Sequence, residues 1–93
     1  MSNTKSNVFL ALQTNEDTRP IIEAIQMDNP DAVVNRYPAM VKIDVPGRLV
    51  LKRETVESLT GMDFDLQSFH VNLISLAGNI DETEDELVLK WKQ

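Results

Sequence analysis

The chain has a single histidine, His70, and a histidine placed beside a serine and a carboxylate is a common arrangement for nucleophilic catalysis. Serines and aspartates are present, so the inventory alone leaves open a small hydrolase or isomerase that uses His70. No G-x-S-x-G nucleophile elbow occurs, and nothing distinguishes one serine from the others. We therefore favour a surface or interface role for His70 over a role as general base.

The residues that bind metals and phosphates are absent or badly spaced. The chain has no cysteine, which excludes disulfides, thiol catalysis and thiolate ligation of zinc or iron–sulfur clusters. The acidic run 81–86 has Glu86 where a calcium loop needs glycine, so it predicts a solvated loop. Gly47, Gly61 and Gly78 stand too far apart to form a phosphate-binding loop. We expect no catalytic residue, no metal and no cofactor on this chain.

The net charge limits the partners that this chain can have. Lys and Arg number 9 and Asp and Glu number 15, which gives −6 with the histidine neutral. A negative surface repels phosphate groups, so binding to nucleic acid or to an anionic membrane is disfavoured. No apolar run approaches the roughly 20 residues of a transmembrane helix, and the polar N-terminus does not resemble a signal peptide. We expect a cytoplasmic binding module.

The first part of the chain predicts a tail, a strand and a helix. Residues 1–7 are polar and lack an apolar period, so they predict a flexible N-terminal tail before a single domain at 8–93. The apolar run 8–12 predicts the first strand. Pro20 has no amide proton and must lie in the first turn of the following helix, with Asp17 or Thr18 as the N-cap.

The remainder of the chain alternates between strand and helix patterns. A second helix is predicted at 53–60, and Gly61 ends it. Period-two alternation predicts further strands at 32–37, 41–45, 49–51, 69–73 and 87–91. The predicted order is β-α-β-β-β-α-β-β, and the predicted fold class is α+β, a small single domain with a sheet packed against two or three helices.

Two short segments carry side chains that are typical of binding surfaces. The segment Asn35-Arg36-Tyr37-Pro38 places an amide, a guanidinium and a phenol at a strand end, and Tyr and Arg are enriched at binding hot spots. A structural role, with Tyr37 covering the core, fits the pattern about equally well. Arg48, Lys52 and Arg53 form a basic cluster that is either a solvated strand end or a docking patch for an acidic protein surface.

A series of short motifs over about residues 8–91 resembles one protein family. None of the motifs is specific alone, but they follow one another at matching spacing. They are Asn29-Pro30, Val33-Val34-Asn35, Ile43-Asp44, Pro46-Gly47-Arg48-Leu49, Lys52-Arg53-Glu54-Thr55, His70-Val71-Asn72-Leu73, Ala77-Gly78-Asn79-Ile80-Asp81 and Asp85-Glu86-Leu87-Val88-Leu89. On these motifs the chain resembles the regulatory (effector) components of bacterial multicomponent diiron monooxygenases. The resemblance is nearest to those of phenol hydroxylases and more distant to those of toluene monooxygenases and soluble methane monooxygenase.

The resemblance implies a cofactor-free, non-catalytic component of an NADH-dependent phenol 2-monooxygenase. In that family the partner is a hydroxylase with a carboxylate-bridged diiron centre, and a reductase with FAD and a [2Fe-2S] cluster supplies electrons from NADH. The regulatory component is expected to dock above the diiron site, and so to tune oxygen and substrate access and the coupling of NADH oxidation to aromatic hydroxylation. An excess is expected to obstruct the reductase if both proteins use one surface. A mechanism based on the long N-terminal tail of the methane monooxygenase relative is not expected to apply.

We predict a protein interface built from the strand-end segment and the region 63–72, with Arg48 and Arg53 at a polar rim. Two alternatives stay open, a small ligand-binding or scaffold module of the same fold class and a small enzyme that uses His70. The predicted interface residues are Asn35, Arg36, Tyr37, Pro38, Arg48, Arg53, Phe64, Phe69, His70 and Asn72.

Overall fold

The computed structural model describes residues 6–91, and within that range the chain forms seven strands and three helices. The predicted α+β class is confirmed. Residues 1–5 of the predicted tail lie outside the described residues, so the flexible tail stays a prediction. In chain order the elements are β1 Asn7–Gln13, α1 Arg19–Asp28, β2 Val33–Tyr37, β3 Met40–Pro46, β4 Arg48–Lys52, α2 Arg53–Thr60, α3 Gln67–Val71, β5 Leu73–Ala77, β6 Asn79–Glu82 and β7 Glu86–Lys90.

The strands form two antiparallel sheets, and two glycines mark the passages between them. The first sheet has the order β2-β3-β1-β5 and the second has the order β4-β7-β6. The chain passes from the first to the second sheet at Gly47 and again at Gly78, whose φ angles are 75° and 128°. At Gly78 an added Cβ would lie 3.0 Å from Leu89 Cδ1 and 3.1 Å from Val8 Cγ1. Glycine is favoured there because L side chains rarely adopt this backbone conformation and an added Cβ would press against two buried side chains.

One hydrophobic core joins both sheets and α1. Alternate residues along β1, β3 and β4 are buried, as their period-two pattern predicts. The apolar face of α1 is buried as well, and this helix packs against β4 and α2. The largest fully buried side chains are Phe69, Leu10, Leu12, Ile21, Ile25, Ile43, Leu49, Leu51, Leu87, Leu89, Val8 and Val41.

The start of α1 is close to its prediction, but the cap is formed differently. Thr18 is the N-cap residue, with Pro20 in the first turn, yet the Thr18 side chain makes no capping hydrogen bond. Instead the Asn15 N–H donates to Thr18 Oγ1 at 3.0 Å, and Thr18 Oγ1 donates to the Asn15 carbonyl at 3.1 Å. The hydroxyl therefore orders the connection that precedes the helix.

The strand predicted at 69–73 is wrong, because Gln67–Val71 form helix α3 and the strand begins only at Leu73. The Asp65 carboxylate accepts the Gln67 N–H at 2.9 Å and starts the helical turn. Phe69 is fully buried whereas Val71 is 77% exposed, so these two residues lie on opposite sides of the turn. A segment of five residues that alternate between apolar and polar is too short for periodicity to distinguish helix from strand.

The solvated loop predicted over 81–86 is wrong in part. Asp81 and Glu82 belong to β6 and pair with Val88 and Leu87 of β7. Only 83–85 lie outside the strands, in a turn where the Asp85 and Glu86 N–H groups donate to Thr83 Oγ1 at 3.2 Å. A strand at the edge of a sheet can direct charged side chains to solvent, so a run of acids does not exclude it.

Candidate protein-docking surface

Three connections meet at one end of the molecule, and we call residues 14–18, 36–39 and 72 the loop end. The Thr14 N–H donates to the Ala39 carbonyl at 3.1 Å, and the Gln13 N–H donates to the Asn72 carbonyl at 2.9 Å. Asn15 Nδ2 also donates to Asn72 Oδ1 at 2.9 Å. These bonds hold the β1–α1 connection, the β2–β3 turn and the end of α3 in one fixed arrangement.

The loop end brings together two predicted segments that are far apart in the sequence. Tyr37 and Pro38 are exposed at the end of β2, and Asn72 follows α3. Arg36 lines a groove together with Arg19 of α1 and the β1–α1 connection. Tyr37 is 51% exposed and lies outside the buried core, which favours a binding role over the core-covering role. Asn35 is exposed one residue before Arg36.

The predicted polar rim of Arg48 and Arg53 stays a prediction, and the structure shows that the two arginines lie well apart. Five residues of extended chain separate them by roughly 17 Å. Arg48 follows the Gly47 crossing, next to the end of β1 that lies away from the loop end. Arg53 begins α2, where its Nη2 lies 3.1 Å from Asp85 Oδ1. Neither arginine is part of the loop end.

The two predicted phenylalanines differ in exposure. The prediction of Phe69 as an interface residue is wrong, because its side chain is fully buried in the core. Phe64 is half-buried and packs against the core, and its N–H donates to Glu57 Oε2 at 2.9 Å. It also lines open grooves, so part of its ring is available to a partner.

His70 forms a pair with a carboxylate in the part of the chain that the structure describes. Its Nε2 lies 2.8 Å from Glu82 Oε1, and Gln67 Nε2 donates to Glu82 Oε2 at 2.9 Å. The described hydrogen bonds of the His70 ring include none to a hydroxyl group. The arrangement joins α3 to β6, which gives His70 a structural contact, and its role in the interface stays a prediction.

The predicted interface residues leave out three exposed apolar side chains: Leu59 of α2, Met62 after α2 and Val71 of α3, of which only Val71 lies within the predicted region 63–72. They line a groove of about 790 Å³ between α1, α2 and α3, which we call the helix groove. Met62 was detectable in principle, since it is an apolar residue that follows the helix-ending Gly61 and belongs to no periodic pattern. Val71 was not, because its exposure depends on the helical conformation of α3.

Two further observations concern the described part of the chain as a whole. Among residues 6–91, no group of three or more His, Asp or Glu side chains is placed to hold a metal ion. No helix in that range is both long enough and apolar enough to cross a membrane.

Comparison with known proteins gives a consistent result along the chain. Residues 6–90 match the MmoB/DmpM family. The chain is 46% identical to the protein "Phenol 2-monooxygenase, stimulatory component DmpM" of Pseudomonas sp. (strain CF600). The alignment extends over 87 residues and covers 94% of this chain and 97% of that protein. A chain in the structure of a phenol hydroxylase–regulatory protein complex is 45% identical with a TM-score of 0.88, covering 94% of this chain and 100% of that one. The soluble methane monooxygenase regulatory protein B shares the fold, with a TM-score of 0.72 at 19% identity, covering 99% of this chain and 70% of that one.

Proposed function

Because this chain belongs to the MmoB/DmpM family, we propose that it is the regulatory component of a multicomponent phenol hydroxylase. In this role it binds the hydroxylase component and stimulates it, and it performs no chemistry itself. The observation that carries the proposal is the 46% identity with a stimulatory component over nearly the full length of both chains. The match to a chain in a phenol hydroxylase–regulatory protein complex supports the hydroxylase as the partner.

The loop end is the surface that this proposal assigns to the hydroxylase. Arg36, Tyr37 and Pro38 are exposed there, at the same end of the first sheet as Asn72, and Tyr and Arg are the residue types that most often dominate binding energies. Backbone hydrogen bonds from Thr14 to Ala39 and from Gln13 to Asn72 fix the surface before any partner arrives. A fixed surface loses little conformational entropy on binding, which favours affinity.

The mechanism follows from binding alone. A protein with no catalytic group of its own changes the rate of another protein by binding one of its conformations more tightly than the others. The coupling free energy between two binding events is typically about 1–3 kcal/mol, which changes an equilibrium constant by roughly 5–150-fold. The conformation of the hydroxylase that this chain favours then sets oxygen and substrate access and the coupling of NADH oxidation to aromatic hydroxylation.

The cofactors belong to the partners in this proposal. A carboxylate-bridged diiron centre in the hydroxylase supplies the oxidation chemistry. A reductase with FAD and a [2Fe-2S] cluster supplies electrons from NADH, and all components work in the cytoplasm. The contribution of this chain is the docking of its loop end.

Titration of this protein into purified hydroxylase and reductase, with NADH and phenol, tests the proposal. Hydroxylated product should rise with the regulatory protein and reach a maximum near one copy per hydroxylase active site, with no further gain beyond it. An unrelated acidic protein of similar size serves as the control. Full hydroxylation without the regulatory protein, or no response at any ratio, would refute the proposal.

A further inference from the structure

The helix groove is the place where apolar side chains from three different segments are exposed next to each other. Leu59 at the end of α2 is 40% exposed, Met62 is 67% exposed and Val71 at the end of α3 is 77% exposed. The buried residues Ile21 and Val56 form part of the lining beneath them. Surface apolar residues are usually scattered, so a lined groove of this kind is typical of an interaction site.

Local hydrogen bonds hold the apolar side chains of the groove in place. Gly61 ends α2 in the left-handed conformation, and its N–H donates to the Glu57 carbonyl at 2.7 Å. The Met62 N–H then donates to Thr60 Oγ1 at 3.1 Å, which fixes the turn that carries Met62. In α3, buried Phe69 anchors the helix and directs Val71 outward. The exposure of Met62 and Val71 is therefore built into ordered backbone.

The charges around the groove are mainly negative. Four carboxylate residues line it, and Arg19 is the one basic residue in the lining. The four are Glu16, Asp17, Glu23 and Asp63. An apolar groove with an acidic border complements an apolar segment flanked by Lys or Arg and repels an acidic one.

We infer that the helix groove receives an amphipathic helix of the hydroxylase, with an apolar face flanked by lysine or arginine; this rests on the proposed function. The apolar side chains that enter the groove would recur on one face of that helix, at positions i, i+3 or i+4, and i+7. It adjoins the loop end, since Glu16 and Asn72 belong to both surfaces. Docking therefore extends from the polar loop end onto an apolar face of the molecule.

A pair of matched methionines tests the inference. Met62→Glu and Met27→Glu make the same change at side chains that are 67% and 62% exposed, but Met27 does not line the groove. Affinity for the purified hydroxylase is measured by calorimetry, and the fold of each variant is checked by circular dichroism and thermal unfolding. Met62→Glu should weaken binding by about tenfold or more, whereas Met27→Glu should stay within about twofold. Val71→Glu should weaken binding to a similar degree. A loss of affinity in both variants would show that the effect belongs to the groove and is not a local distortion at Met62.

The charge requirement has its own matched test. Asp63→Lys changes the border of the groove outside the loop end, and Glu84→Lys makes the same change of charge at an exposed residue of the β6–β7 turn. Asp63→Lys should slow association with the hydroxylase severalfold more than Glu84→Lys, and added salt should reduce the difference. Equal effects of the two variants would overturn the assignment of a basic-flanked helix.

Three outcomes separate this inference from the proposed function. If wild-type protein stimulates the hydroxylase and both groove variants bind as well as wild type, the groove assignment is wrong and the proposed function stands. If Met62→Glu abolishes a dimer of this chain without changing hydroxylase affinity, a second copy occupies the groove and the assignment is again wrong. If wild-type protein neither binds nor stimulates the hydroxylase, it is the proposed function that fails.

Discussion

The Asn29 side chain makes the two hydrogen bonds with the Val50 backbone that a neighbouring strand would otherwise make at the free edge of β4. The Val50 N–H donates to Asn29 Oδ1 at 2.9 Å, and Asn29 Nδ2 donates to the Val50 carbonyl at 2.7 Å. The same Nδ2 donates to the Ile25 carbonyl at 2.7 Å, within the last turn of α1. One buried amide thereby satisfies both polar groups of an edge-strand residue and joins the end of α1 to β4.

Asn29→Ala should lower the free energy of unfolding by about 2–4 kcal/mol, because the buried Ile25 carbonyl and the part-buried backbone groups of Val50 lose their hydrogen bonds. Urea unfolding followed by circular dichroism measures the change. Asn35→Ala is the matched control, since exposed Asn35 makes one side-chain hydrogen bond of 3.5 Å, and its effect should stay within about 0.5 kcal/mol. Similar losses for the two variants would contradict the role assigned to Asn29.

Gly78→Ala should destabilise the fold more than Gly61→Ala. Both glycines have positive φ, but at Gly61 an added Cβ meets nothing within 4 Å, whereas at Gly78 it meets Leu89 at 3.0 Å. We expect about 1 kcal/mol for Gly61→Ala and about 2–4 kcal/mol for Gly78→Ala, since strain and a close contact add at the latter. Thermal unfolding of both variants provides the comparison, and the reverse order would show that the sheet crossing tolerates a side chain.

Tyr37→Ala should weaken the affinity for the hydroxylase by about 5–30-fold while leaving the fold intact, because Tyr37 is exposed at the loop end. The measurement is binding by calorimetry, together with the midpoint of the stimulation curve. Trp91→Ala is the control, as Trp91 is an aromatic residue with 41% exposure outside the loop end. If the tryptophan variant loses as much affinity as the tyrosine variant, the docking surface has been placed wrongly.

His70→Ala should retain most of the stimulation of the hydroxylase. The variant loses the contact with Glu82, a partly exposed pair that contributes about 1 kcal/mol or less to stability. Product formation by the reconstituted system and urea unfolding measure the two effects. Complete loss of turnover, with hydroxylase binding unchanged, would instead support the alternative of a small enzyme that uses His70.

Local patterns in the sequence were sufficient for several elements. The helix predicted at 53–60 is α2, residue for residue, because its capping glycine and its period act within a few residues of one another. The alternation along 41–45 and 49–51 identified strands whose inner faces are buried, since a strand places successive side chains on opposite faces. The order of short motifs identified the family, which the match over residues 6–90 confirms.

Tertiary structure decided which residues share a surface. Tyr37 and Asn72 are 35 positions apart, and they lie at the same end of the first sheet because β3 and β1, which stand between β2 and β5, pair in antiparallel register. Phe69 and Val71 would share a face in a strand, but the helical turn of α3 buries the first and exposes the second. Five residues carry too little local preference to choose between these conformations, so the packing of Phe69 into the common core makes the choice.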